Sequence, residues 1–112
     1  MRGQALKGHL DLLLLAVIAD GPKHGYAVIE QLRLASDDVF DLPEGTVYPA
    51  LHRLQKAGYL SSSWSEVQGR RRRTYTLTKK GSSALGEQRQ SWTEFSHAVG
   101  QVLKGSPWPS TH

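Results

Sequence analysis

The stretch from Glu44 to Gly81 reads EGTVYPALHRLQKAGYLSSSWSEVQGRRRRTYTLTKKG, and it decides the fold. Its first part carries Val47, Leu51 and Leu54, whose spacing is that of one buried face of a helix. The helix is expected to end at Ala57-Gly58. Pro49 has no backbone N–H and is tolerated where that donor would be free, so the helix is expected to start only a few residues earlier.

The second part of this stretch predicts a hairpin. Two strand-like runs, Tyr59 to Val67 and Arg72 to Leu77, flank a turn at Gln68-Gly69. If Val67 pairs with Arg70, the register sets these further pairs: Leu60 with Leu77, Ser62 with Tyr75, and Trp64 with Arg73. Trp64 is then expected to make a cation–π contact with Arg73, to hold the wing to the body of the domain as a half-buried residue, or to do both.

Helix, strand, basic turn and strand follow one another in the order of a winged helix-turn-helix. In that fold the helix enters the major groove of DNA and the hairpin, called the wing, lies along the phosphates. The fold class predicted is mainly α, within the α+β group, with a C-terminal dimerisation helix. The outer face of the recognition helix carries the first set of candidate DNA-binding residues: Thr46, Tyr48, Pro49, His52, Arg53 and Lys56.

The charge is concentrated in the same stretch. Residues 44 to 80 hold eight basic and two acidic residues, a net charge of +6. The rest of the chain holds six basic and eight acidic residues, a net charge of −2. A basic stripe on a slightly acidic body is typical of nucleic-acid binders. The competing interpretation is a winged helix used as a protein-interaction module, and the run Arg70 to Arg73 at the wing argues against it.

Other classes of protein are disfavoured by composition. The chain of 112 residues has no cysteine, which excludes disulfides and thiolate metal sites. Its five histidines show no metal-ligand spacing and no pairing with carboxylates, so no catalytic residue, metal or cofactor is predicted. The longest apolar run, Leu12 to Ala19, is far shorter than the ~20 residues that span a membrane. With no signal-peptide pattern at residues 1 to 7, a cytoplasmic location is expected.

Three further helices are predicted, and two of them leave apolar surface uncovered. The first, from His9 to about Ala19, is apolar around nearly its whole circumference. The second runs from near Gly25 to about Ala35. The last runs from about Lys79 to Leu103 behind an N-cap at Thr78, and its apolar stripe has no partner in its own domain. These faces predict a homodimer interface formed by Leu10, Leu13, Val17, Trp92, Phe95 and Val99.

Three segments are therefore expected. Residues 1–78 form the winged helix-turn-helix domain, residues 79–104 form the dimerisation helix, and residues 105–112 form a disordered, Pro-rich tail.

Three motifs in this order resemble the PadR family of bacterial transcriptional regulators, in particular its short members with a single C-terminal helix. They are LDLLLLAVIADGPKHGYAVIEQL, LPEGTVYPALHRLQKAGYL and GRRRRTYTLTKKG, and the resemblance spans residues 6 to 104. The ordered set, with the Gly-Thr-x-Tyr-Pro run in the third helix, is the specific part of the match.

The resemblance implies a homodimer in which the last helix of one subunit packs on the first helix of the other. It implies repression at promoter palindromes, relieved by small molecules or by unknown signals. It adds further DNA-contacting residues to the candidates: Tyr26 at the start of the second helix, and Arg70, Arg71 and Arg72 in the wing. The resemblance also implies that a small aromatic effector binds at Trp92. The operator, the regulated genes, and the choice between repressor and activator lie beyond the sequence.

Overall fold

The computed structural model contains the four helices and the hairpin that the sequence predicts. The second strand of the hairpin begins at Arg70, two residues before the predicted Arg72. The structure describes Leu6 and residues 8 to 108. In this part of the chain four helices and three strands follow one another as α1 (Leu10–Ala19), β1 (Lys23–His24), α2 (Gly25–Ala35), α3 (Glu44–Lys56), β2 (Leu60–Val67), β3 (Arg70–Leu77) and α4 (Lys79–Lys104).

The helix ends follow from local chemistry. After α1 the chain turns at Gly21, whose φ of 148° is a conformation that favours glycine. His24 caps α2, its side chain accepting a hydrogen bond from the Ala27 N–H. Thr78 caps α4 as predicted: its hydroxyl oxygen accepts from the Gly81 N–H at 3.0 Å and its hydroxyl donates to the Gly58 carbonyl at 2.6 Å. These bonds fix the direction in which α4 leaves the wing.

The sheet has three antiparallel strands in the order β1-β3-β2. The predicted hairpin register is confirmed at every pair, from Leu60 with Leu77 to Val67 with Arg70. Gln68 and Gly69 have φ of 53° and 76°, so both central residues of the two-residue turn are left-handed, as a type I′ hairpin requires. The short strand β1, which pairs Lys23 with Tyr75, was not predicted.

The core lies where α1, α2 and α3 meet the inner face of the sheet. Leu14, Leu15 and Ile18 of α1 are buried, and so are Val47 and Leu51 of α3. The remaining buried apolar residues come from all four helices and from β2 and β3: Val17, Val28, Leu32, Ala50, Leu54, Leu60, Tyr75 and Leu85. Burial of these side chains at about 1.5–3 kcal/mol each is the main term that fixes α3 against the body.

One local prediction was wrong. Helix α3 begins at Glu44, so Pro49 lies in the second turn, beyond the region of free N–H groups. Because proline has no N–H, the carbonyl of Gly45 lacks its usual helical donor. Gly45 and Pro49 are both exposed residues.

Helix α4 projects from the domain with much of its apolar side uncovered. Its buried residues, Gly81 and Leu85, lie near its start. Further along, Trp92 is 43% exposed, Phe95 is 57% exposed and Val102 is 74% exposed. No described helix is both long and apolar enough to cross a bilayer. Trp108 of the predicted tail is almost fully exposed; residues 109–112 lie outside the described residues, and the segment boundaries stay a prediction.

Candidate nucleic-acid interface

The outer face of α3 is the centre of the candidate site. At about 100° per residue, Gly45, Pro49, His52 and Lys56 lie opposite the buried stripe of this helix. All four are exposed, while Thr46 beside them is half-buried. The acidic Glu44 lies in the first turn and the basic Lys56 in the last, which suits the helix dipole. This face offers small residues near its N-terminus and hydrogen-bonding side chains further along.

Tyr48 forms one flank of that face. Its ring packs directly over Gly25, the first residue of α2: a Cβ atom added at Gly25 would lie 2.8 Å from the Tyr48 hydroxyl oxygen. Only glycine leaves room for the ring in this position. Tyr48 keeps 38% of its surface exposed, and Tyr26 beside Gly25 keeps 53%. The start of α2 and the start of α3 therefore share one exposed aromatic edge.

Arg72 connects the wing to the region of Tyr48 and His24, where α2 and α3 begin. Burial raises the pKa of Tyr48, Glu44 and Tyr75 raise it further, and the positive charge of Arg72 acts in the opposite direction. Burial lowers the pKa of His24, and Arg72 lowers it further. The guanidinium is thus close enough to affect both rings. Its Nε atom is buried without a hydrogen-bond partner among the described residues.

Arg53 forms the opposite flank of α3, and its largely exposed side chain is paired with Asp11 of α1. Its two terminal nitrogens donate to the two carboxylate oxygens of Asp11 in α1, at 2.6 and 3.0 Å. The hydrogen bond with Asp11 raises the pKa of Arg53, and partial burial opposes the rise. The sequence reasoning placed Arg53 among the DNA contacts; the structure places its guanidinium on α1, away from the outermost line of the helix.

In the wing, Trp64 supports two arginines. The guanidinium carbons of Arg71 and Arg73 lie 5.0 and 4.8 Å from the centre of the Trp64 ring. Arg73 also donates to the Ser62 hydroxyl at 2.8 Å. The predicted contact between Trp64 and Arg73 is confirmed, and Trp64 keeps 56% of its surface exposed. Arg70, next to the turn, is exposed.

The predicted dimer residues divide into two groups. Val17 is already buried within the single chain, and Leu10 and Leu13 are half-buried. On α4 the predicted residues are uncovered, and the ring of Trp92 meets His9 edge-on at 4.9 Å between centroids. An open cavity of about 570 Å³ lies at this contact, with Trp92 and the Asp11–Arg53 pair in its lining. No cluster of metal-binding side chains occurs in residues 8 to 108.

Three features of the site were not predicted from the sequence. They are the packing of the Tyr48 ring on Gly25, the inward position of Arg72, and the ion pair between Asp11 and Arg53. Asp11 carried a usable signal, because it is the one charged residue in an otherwise apolar helix. Such a residue has to be paired or exposed.

Comparisons with known proteins identify the family. Residues 14–87, more than half of the chain, match the model of the transcriptional regulator PadR-like family. The chain is 38% identical over 88 residues to the transcriptional regulator Rv3488 of Mycobacterium tuberculosis, covering 79% of each chain.

Solved structures of similar proteins indicate the same family. A PadR-like transcriptional regulator from Bacillus cereus is similar with a TM-score of 0.82 and 31% identity, over 93% of this chain and all of the other. A PadR-like transcription factor from Bacteroides fragilis is similar with a TM-score of 0.74 and 36% identity, over 88% of this chain and 94% of the other. The chain therefore belongs to the PadR-like family of transcriptional regulators, whose members are not enzymes.

Proposed function

We propose that this regulator binds double-stranded DNA as a homodimer, at a palindromic promoter site, and represses transcription there. In this proposal α3 enters the major groove and the wing follows the phosphate backbone. The outer residues Pro49, His52 and Lys56 face the base edges and the phosphates beside them. Thr46 lies at the N-terminal end of the same helix, where backbone N–H groups favour an anion.

The observation that carries the proposal is the convergence of three elements on one exposed edge. The ring of Tyr48 lies on the first residue of α2, and the charge of Arg72 reaches both Tyr48 and His24. Recognition helix, start of α2 and wing therefore form one surface. Tyr26 and Tyr48 have exposed rings there, and their hydroxyl groups suit phosphate oxygens.

The wing supplies most of the charge of this surface. Arg70 is exposed beside the turn, and Arg71 rests on the exposed ring of Trp64. A guanidinium held against a tryptophan face loses less conformational freedom when it binds a phosphate than a free one does. We assign the exposed Arg70 and Arg71 to the phosphate backbone, which supplies affinity without reading sequence. Arg72, whose Nε is buried, was expected to join them; it lies inward instead, near Tyr48 and His24.

The homodimer follows from apolar surface that one subunit leaves bare. Trp92, Phe95 and Val99 form an uncovered stripe on α4, and Leu10 and Leu13 are only half-buried on α1. An exposed apolar stripe of this length marks an association surface. Packing of α4 on α1 of a second copy covers both faces at once. Two-fold symmetry of the protein then requires two-fold symmetry in the operator.

The cavity beside Trp92 is the place for a small aromatic effector in this proposal. His9, Trp92 and Phe95 give it aromatic walls, and its volume of about 570 Å³ is in the range of small-molecule sites. Release of repression by such a ligand would act through the contact between α1 and α4. Isothermal titration with flat aromatic compounds, comparing wild type with Trp92→Ala, tests this part separately from DNA binding.

The test of DNA binding is the salt dependence of affinity for a random duplex. A protein that neutralises several phosphates loses affinity steeply as salt rises, because counterions are released on binding. We expect a log–log slope of several units for the wild type. A protein-interaction module would bind random DNA barely and with a slope near zero, and that outcome would overturn the proposed function.

A further inference from the structure

The ion pair between Asp11 and Arg53 links two helices that have different tasks. Asp11 lies in the first turn of α1, and Arg53 lies in the recognition helix α3, 42 residues later. The two hydrogen bonds of 2.6 and 3.0 Å use both oxygens of the carboxylate and both terminal nitrogens of the guanidinium. A pair with this fork geometry fixes direction as well as distance.

Arg53 also lies on a particular side of α3. It follows Tyr48 by five residues, which places it about 140° around the helix from Tyr48. Tyr48 restrains one flank of α3 through Gly25, and Arg53 restrains the other through Asp11. A helix held on both flanks cannot roll about its axis, so its outer face keeps one orientation.

We propose that Asp11 is a positioning residue for DNA recognition, acting through Arg53 to set the rotation of α3. In this role Arg53 serves the interface through its pair with Asp11 instead of contacting a phosphate. The inference rests on the proposed function. It also gives a reason for the one charged residue in a helix whose other positions are apolar.

Asp11 and Arg53 also line the open cavity that Trp92 and Phe95 line. The rotation of α3 is therefore connected through Asp11 to the region where α1 meets α4.

The opposing interpretation treats Arg53 as a phosphate contact that Asp11 holds only while DNA is absent. The two interpretations predict opposite signs for Asp11→Asn. If the pair positions α3, Asp11→Asn weakens operator binding. If Asp11 competes with DNA for Arg53, Asp11→Asn releases the arginine and strengthens binding.

The experiment measures the affinity of the intact protein for its operator and for a random duplex at several salt concentrations. The operator is obtained by selecting bound fragments from genomic DNA. Asp11→Asn and Arg53→Lys are compared with Asp20→Asn, which removes the same charge at the end of α1, where Asp20 lies 3.8 Å from Lys23. Thermal unfolding of each variant is measured alongside.

We expect Asp11→Asn and Arg53→Lys each to weaken operator binding by about two- to five-fold, the range of a partly exposed ion pair. The double variant should be no weaker than either single variant, because both changes break the same link. The salt slope of Asp11→Asn and its affinity for random DNA should match those of Asp20→Asn, because both variants remove one negative charge. Asp11→Glu, which keeps the carboxylate, should restore most of the operator affinity.

Several results would overturn the inference while leaving DNA binding intact. They are stronger binding by Asp11→Asn, operator affinity equal to that of Asp20→Asn, or a loss of binding that follows a matching loss of folded protein. A further variant, Arg53→Gln, removes the positive charge. If its salt slope is lower by about one unit, Arg53 contacts a phosphate. A wild-type protein that selects no genomic fragment would overturn both the inference and the proposed function.

Discussion

Replacing Gly25 by alanine tests how α2 and α3 meet at the candidate interface. The added Cβ would lie 2.7 Å from Cζ of Tyr48 and 2.8 Å from its hydroxyl oxygen. Ordinary contacts between such atoms are about 3.5–4.0 Å, so the ring has to move by about 1 Å. Overpacking of this kind costs about 1–3 kcal/mol, and the better helix propensity of alanine offsets about 0.5–1 kcal/mol. We expect a net loss of about 0.5–2 kcal/mol in the free energy of unfolding.

Urea unfolding of four proteins measures this: wild type, Gly25→Ala, Tyr48→Ala and the double variant. In the Tyr48→Ala background the clash is gone, so Gly25→Ala should be neutral or stabilise by about 0.5 kcal/mol. Gly86→Ala is the matched control, because Gly86 lies in α4 with nothing within 4 Å of an added Cβ. An equal loss on Gly25→Ala in both backgrounds would refute the proposed packing of Tyr48 on Gly25.

Three other predictions concern the dimer, the wing and the pH response. Phe95→Asp would bury an unpaired charge at the α4 interface, so sedimentation should show monomer or insoluble protein; a monomeric wild type at micromolar concentration would refute the dimer. Replacing both Arg70 and Arg71 by alanine should weaken operator and random DNA alike and lower the salt slope by about one to two units, and a loss confined to the operator would mean that these arginines read bases. Burial and Arg72 lower the pKa of His24 below 6.5, so stability should fall as the pH drops below that value, where the unfolded state takes up the proton first. His24→Asn keeps a capping oxygen and should remove this part of the pH dependence; an unchanged pH profile would contradict the assignment.

Much of the fold could be predicted because its signals are local. The apolar period of α3, the Gln68-Gly69 turn and the cap at Thr78 are each contained within a few residues. The hairpin register followed from the turn alone, since a two-residue loop leaves a single pairing. The strand β1 was missed because Lys23 and His24 are too few to show an alternating pattern.

The parts of the site that were missed depend on contacts between distant segments. Arg53 looks like any basic residue on the outer side of a helix, and its partner Asp11 is 42 residues away in the chain. The role of Gly25 becomes visible only when α3 brings the ring of Tyr48 over it. Spacing along one helix tells which residues share a face, whereas it does not tell which neighbouring helix meets each flank.

Selection of genomic DNA fragments by the purified protein, followed by sequencing, tests the central claim most directly. A homodimer with one recognition helix per subunit should enrich a two-fold symmetric site, with half-sites about one helical turn of DNA apart or a multiple of it. The enriched site should then lie in promoter regions. Fragments recovered at the frequencies of the input library would contradict the claim that this chain is a sequence-specific DNA-binding regulator.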